Sequence, residues 1–160
     1  MTITEILCRF RDENDICTET ISSIQNDESL RKNLINYTRQ NRNRLFASAL
    51  LDKFIAIREL PNYQMPFEDL MLACYNLGIN DQVEDCLKIW KAKTTDFDTY
   101  GGLDVQLVVF AGLTQTIDFL REQADTEATA ATSYILSCAK AGDFDHLQDY
   151  FLPENLPWYV

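Results

Sequence analysis

The stretch Ile135-Leu136-Ser137-Cys138-Ala139-Lys140-Ala141-Gly142-Asp143-Phe144-Asp145-His146-Leu147-Gln148-Asp149-Tyr150-Phe151 decides the fold. An apolar segment runs into a glycine, and a second segment follows with Leu147, Tyr150 and Phe151 on one helical face. Two other glycines stand in the same place, Gly78 and Gly112, so the three are 34 and 30 residues apart. The fifth residue after each is Val83, Ile117 or Leu147, and the eighth is Cys86, Leu120 or Tyr150. A gap of three residues keeps both on one helix face. Glycine is expected at such a point because a helix closes on a left-handed residue that other side chains adopt at a cost. Two helices per unit, each apolar on one side, bury that side only against a neighbour, which predicts stacked helix-turn-helix units.

Working outward, Pro66 suits a first helical turn, and Glu68 with Asp69 complements the positive end of a helix dipole. Further upstream, Ile3, Ile6, Leu7 and Phe10 share one helical face, and Ile16, Thr20, Ile21 and Ile24 another. Asp27 reads as the N-cap of a helix from about Glu28 towards Tyr37. The polar stretch Thr38 to Arg44 then precedes a core helix, Leu45 to Leu60, in which Phe46, Leu50, Phe54 and Ile57 recur at helical spacing. Leu60-Pro61-Asn62 ends it, because proline disfavours helical geometry in the residue before it. Five glycines and four prolines in 160 residues are too few for a sandwich or barrel. The expectation is an all-α single domain over residues 1–160. Residues 1–60 form an N-terminal helical region, 66–151 three helical-hairpin repeats in a short α-solenoid, and 152–160 a C-terminal cap. That tail, Leu152 to Val160, is too aromatic for a solvated end; a docking peptide is its second reading.

Residues 66–151 resemble ankyrin repeats. The spacing of Ile135 to Phe151 is similar to the family's helix pair, L-x-L-A-A-x-x-G-x-x-x-x-V-x-x-L-L. In the middle unit Asp98-Thr99-Tyr100-Gly101 looks like the family's D-x-D-G loop, eleven residues before Gly112, and Val105, Leu107, Ile117 and Leu120 fall on its apolar positions. The first unit fits with one residue inserted before Gly78. Leu103-Asp104-Val105-Gln106 stands where the Thr-Pro-Leu-His signature belongs, so tetratricopeptide-like or HEAT-like hairpins remain open. The resemblance implies partner contacts on the loops between hairpins.

Charge narrows the function. The net charge is −11, distributed as −5 over residues 1–30, +5 over 31–60, −4 over 61–100 and −7 over 101–160. Such a field repels nucleic acid and anionic membranes, and attracts a basic protein. The longest apolar run, Leu107 to Leu113, is far below the roughly 20 residues that span a bilayer. Glu5 and Arg9 interrupt any signal-peptide core, so a cytoplasmic location is expected. The cysteines at 8, 17, 74, 86 and 138 have no C-x-x-C spacing and read as reduced, buried thiols, and His146 has no partner at ligand spacing; no metal is expected. Phosphate-loop, H-E-x-x-H and G-x-S-x-G motifs do not occur, and acidic pairs such as Glu84-Asp85 or Asp143 with Asp145 read as capping residues. Neither a catalytic residue nor a cofactor is assigned.

Two surfaces remain. In the polar stretch Thr94 to Tyr100, Asp96, Phe97, Asp98 and Tyr100, with Asp104 and Gln106 beyond it, make up the candidate partner contact, anchored by the two aromatics unless these tuck inward to close the loop. Arg39, Arg42 and Arg44 form a basic patch that either pairs internally with the acidic flanks or meets phosphate. The functional expectation is a protein-binding module, in its sharper form an acidic inhibitor or immunity-type protein that neutralises a basic partner. The alternatives are a nucleic-acid binder acting through 31–44 and an enzyme with an unrecognised acidic site.

Overall fold

The apolar periodicities fold as helices. A computed structural model, which describes residues 1–62 and 65–160, is all-helical, with no strand among the described residues. The amino-terminal part comprises α1 (Ile3–Glu13), α2 (Thr18–Asn26), α3 (Glu28–Gln40) and α4 (Arg44–Arg58). Next come α5 (Phe67–Gly78), a 3-10 turn Val83–Asp85 leading into α6 (Cys86–Lys93), and α7 (Phe97–Gly102). A second 3-10 segment, Val105–Val109, precedes α8 (Leu113–Gln123), α9 (Thr126–Ala141) and the short α10 (Leu147–Tyr150). None of these helices is long and apolar enough to cross a membrane.

Local chemistry sets the helix starts. Asp27 accepts the Leu30 amide at 3.0 Å, and Asn43 accepts that of Phe46 at 3.1 Å. The break between α3 and α4 is therefore only Asn41 to Asn43, and α3 runs on through Arg39. The centre of the molecule is α5, whose residues Asp69 to Gly78 are all buried. It packs against α3, α4, α6, α7 and the 105–109 segment. From α4, Phe46, Leu50 and Phe54 reach this core, and each such side chain contributes roughly 1.5–3 kcal/mol through burial. Ala124, at φ 54, turns α8 into α9, and Ala128, Ala131 and Ile135 of α9 are buried.

The three glycines play different parts. Gly142 (φ 89) closes α9 in the left-handed conformation, and Gly112 (φ 102) leads into α8. Gly78 is instead the last residue of α5, and the left-handed position of that unit falls to Asp81 (φ 62). A Cβ on Gly78 would lie 3.1 Å from the Phe110 ring, so glycine serves close approach there. Three further expectations are corrected. The segment before Gly112 is a 3-10 turn rather than an α-helix, consistent with the valines at 105, 108 and 109, whose branched side chains fit an α-helix poorly. The loop expected at Asp98 to Gly101 lies inside α7. After Gly142 the second helix shrinks to α10, because Asp143 to His146 turn instead. Of the five free cysteines only Cys74 and Cys86 are buried. The tail returns to α3 and α5, where Tyr159 is buried and Phe151 stacks on Tyr75.

Candidate functional site

A six-residue helix has too few internal hydrogen bonds to persist alone. α7 is held at both ends by cations from other helices. At its start Asp96 caps it: the Thr99 amide donates to Asp96 Oδ1 at 2.9 Å and the Asp96 amide to Thr99 Oγ1 at 3.0 Å. Arg58, from the end of α4, grips Asp96 with a two-pronged contact, Nε to Oδ2 at 2.6 Å and Nη2 to Oδ1 at 3.2 Å. This guanidinium holds the Asp96 carboxyl below its ordinary 3.8. At the other end Lys93 Nζ donates to the carbonyls of Tyr100 at 2.7 Å and Leu103 at 2.6 Å. The same ammonium lies over the rings of Tyr100 and Tyr134, 5.6 and 5.2 Å from their centroids. Burial lowers the Lys93 pKa.

Clamped in this way, α7 presents Phe97 to solvent at 89% exposure. The inward tuck considered for the two aromatics applies to neither, since Tyr100 also stays exposed, at 45%, while leaning edge-on against Tyr134. Asp98 beside Phe97 is exposed and 3.7 Å from Arg58. Immediately before α7, Thr94 and Thr95 line a cleft of about 530 Å³. Its other walls are Glu59 after α4, Leu87, Trp90 and Lys91 of α6, and Asp125, Thr126 and Glu127 at the start of α9. Glu59 and Glu127 make no ion pair among the described residues, so the cleft is acidic with a single lysine at its rim.

The remaining residues singled out in the sequence lie elsewhere. Asp104 accepts the Tyr150 hydroxyl at 2.8 Å and the Trp158 indole N–H at 3.2 Å, and Gln106 donates to the Asp143 carbonyl at 2.8 Å. Both tie the carboxyl-terminal part to the 3-10 segment. The arginines do not form one patch. Arg44 makes a two-pronged pair with the buried Asp85, both bonds 2.8 Å, and Arg39 donates to carbonyls of the tail. Arg42 alone of the three is exposed with no acidic partner among the described residues. Other internal pairs join Lys32 to Glu28, Lys53 to Asp15 and Lys88 to Asp52.

Arg58, Lys93, Glu59 and Glu127 were not singled out in the sequence. The D-x-x-T box at Asp96 to Thr99 was a legible cap signal for α7. Nothing local marks Lys93 as buried, since its acceptors lie seven and ten residues on. No family model matches the chain, and neither a curated protein nor a solved structure matches it.

Proposed function

We propose that the chain is a cytoplasmic interaction module of stacked helical hairpins that binds a basic protein through the acidic cleft and the adjoining Phe97, without catalysis. The observation that carries this reading is the exposure of Phe97, 89%, on a helix fixed at both ends by Arg58 and Lys93. A large apolar side chain held rigidly in water costs solvation and returns nothing to the fold, whereas a rigid aromatic beside charge is the composition of an interface anchor. The distribution of charge supports the same partner. Six of the seven bases of residues 31–60, all but Arg42, face acids or carbonyls within the chain, while the −7 of residues 101–160 has little internal neutralisation. The outward field is therefore acidic, which steers a basic partner towards it. The likeness of residues 66–151 to ankyrin repeats also favours contacts through segments that join helices. In its sharpest form the reading is neutralisation of a basic protein by charge and shape.

Affinity capture from the native cell tests this, with the unaltered chain, Phe97→Ala, and the double variant Glu59→Lys with Glu127→Lys run in parallel at low and high salt. A basic protein retained at low salt, weakened by salt and lost from both variants, is expected. Retention indifferent to salt and to both variants would sink the reading.

A further inference from the structure

The last nine residues are fastened in an unusual way. Their main-chain carbonyls are bound by arginine side chains from a helix more than a hundred residues earlier in the chain. Arg39 donates to the carbonyls of Pro153 at 2.7 Å, Asn155 at 2.6 Å and Leu152 at 3.3 Å, while lying over the Tyr75 ring. Arg31, whose other nitrogen pairs with the buried Asp69, donates to the Tyr159 carbonyl at 2.7 Å. The two arginines are about 12 Å apart along α3 at ~1.5 Å per residue. Between these two anchor points the tail is a strap of two turns, in which the Asn155 amide donates to the Leu152 carbonyl at 3.0 Å and the Val160 amide to the Pro157 carbonyl at 3.2 Å.

Guanidinium-to-carbonyl bonds read a main chain without regard to its side chains. Only one side chain of residues 152–160 is buried, Tyr159 at 4% exposure, and it packs against Tyr75 and Tyr150. Leu156 and Trp158 remain 46% and 63% exposed. The strap also underfills its seat. A cleft of about 290 Å³ stays open around Arg39 and Arg42, walled by Tyr75, Phe151 and Pro153.

We infer that the face of α3 and α5 is a peptide-recognition groove, occupied in this structure by the chain's own residues 152–160, and that its occupant in trans is a short, turn-forming segment of another protein. That segment carries Tyr or Phe where Tyr159 sits, held by its carbonyls, and a carboxylate for Arg42, the one arginine of this face without an acidic or carbonyl partner among the described residues. The inference does not depend on the acidic cleft, which lies between α4, α6 and α9.

The probe is a fluorescently labelled peptide with the sequence of residues 150–160, titrated into the full chain. A tethered strap competes at an effective concentration in the millimolar range, so the unaltered chain binds the probe weakly. Tyr159→Ala removes the strap's anchor and is expected to tighten probe binding by roughly tenfold or more. Adding Arg39→Lys, which keeps the charge and loses the fork, is expected to cancel that gain. A probe carrying P153D binds more tightly still, an advantage that Arg42→Ala removes. If circular dichroism shows Tyr159→Ala unfolded, a full chain with a protease site at the exposed Asp145-His146 step, cut after folding, replaces it, and exchange of the cut segment for the probe is read instead. Equal probe binding with and without the anchor, a gain indifferent to Arg39→Lys, or sedimentation as a strap-exchanged dimer that excludes the probe would each overturn the assignment; no P153D advantage would overturn its acidic half.

Discussion

Two short aromatic segments, Thr94 to Tyr100 and Leu152 to Val160, look alike in composition and end in opposite places. Both are gripped by arginines from the amino-terminal helices, Arg58 for the first and Arg39 with Arg31 for the second. In the first the grip falls on a carboxylate that caps a helix, and the helix projects Phe97 outward. In the second it falls on main-chain carbonyls, and the segment is drawn down until Tyr159 is covered. Aromatic content thus says little about inside or outside. What a distant cation binds, side chain or backbone, decides which way the ring faces.

The sharpest way to break this comparison is to remove the grip where it is most buried. Arg31 and Asp69 have side-chain exposures of 10% and 4%, so Arg31→Met leaves a buried carboxylate with no cation and only the Gln25 amide, at 2.8 Å, as a hydrogen-bond donor. The cost is expected at about 3–5 kcal/mol, read as a lowered urea midpoint, and Arg31→Met with Asp69→Leu together should recover much of it. Two independent, additive losses would show that the pair is not a unit. The next largest contrast compares the rings themselves. Tyr159→Ala empties a buried aromatic site and should cost about 3 kcal/mol. Phe97→Ala changes a solvated position and should shift stability by no more than ~0.5 kcal/mol. Equal losses would mean that Phe97 supports the fold, and its part in binding would lapse.

Acidity separates the two grips. The Asp96 carboxyl is held below 3.8 by Arg58 and by the cap, so its contribution to stability is fully present above that pH and disappears as pH falls through the lowered folded value. α7 should loosen first in acid, seen as faster amide exchange at Thr99 and Tyr100 below about pH 4, while the carbonyl-bound strap is retained. At the other extreme, burial pushes the Cys86 thiol up from 9.0 to about 12 and the Tyr134 phenol up from 10.0 to about 12. The unfolded chain loses these protons first, so stability should fall steadily from pH 9 towards 12. A flat urea midpoint over that range would contradict the burial of both groups.

Much of the helical architecture was legible because it rests on local rules. Asp27 capped the helix expected of it, Phe46, Leu50 and Phe54 reached the core, and Gly142 closed α9 with a positive φ. The functional surface was legible only in part. Phe97 emerged as exposed, but the hydrogen bonds that tie the half-buried Asp104 and Gln106 to Trp158, Tyr150 and Asp143 span 37 to 54 residues and leave no local pattern. The block of arginines read as a candidate patch for the same reason. Segment charge is a local property, whereas pairing of Arg44 with Asp85 or Arg58 with Asp96 depends on which helices become neighbours. Lys93 escaped notice because a buried lysine between two carbonyls has no local pattern at all.

The finest test of the clamped helix uses two adjacent glycines that the sequence cannot tell apart. A Cβ on Gly101 would meet nothing within 4 Å, whereas one on Gly102 would lie 2.8 Å from the Phe67 ring. Both stand in the last turn of α7. With free space, alanine lowers the entropy of the unfolded chain and favours the helix, so Gly101→Ala should stabilise by about 0.5–1 kcal/mol. Gly102→Ala must displace Phe67, which packs edge-on against Trp158, and should lose about 1 kcal/mol or more. Thermal melts of the two variants decide the matter. Opposite signs mean that α7 is seated against α5 through Phe67 as tightly as Arg58 and Lys93 require. The same sign for both would mean that the helix stands off the core, and a loosely held Phe97 would then be a poor anchor for any partner.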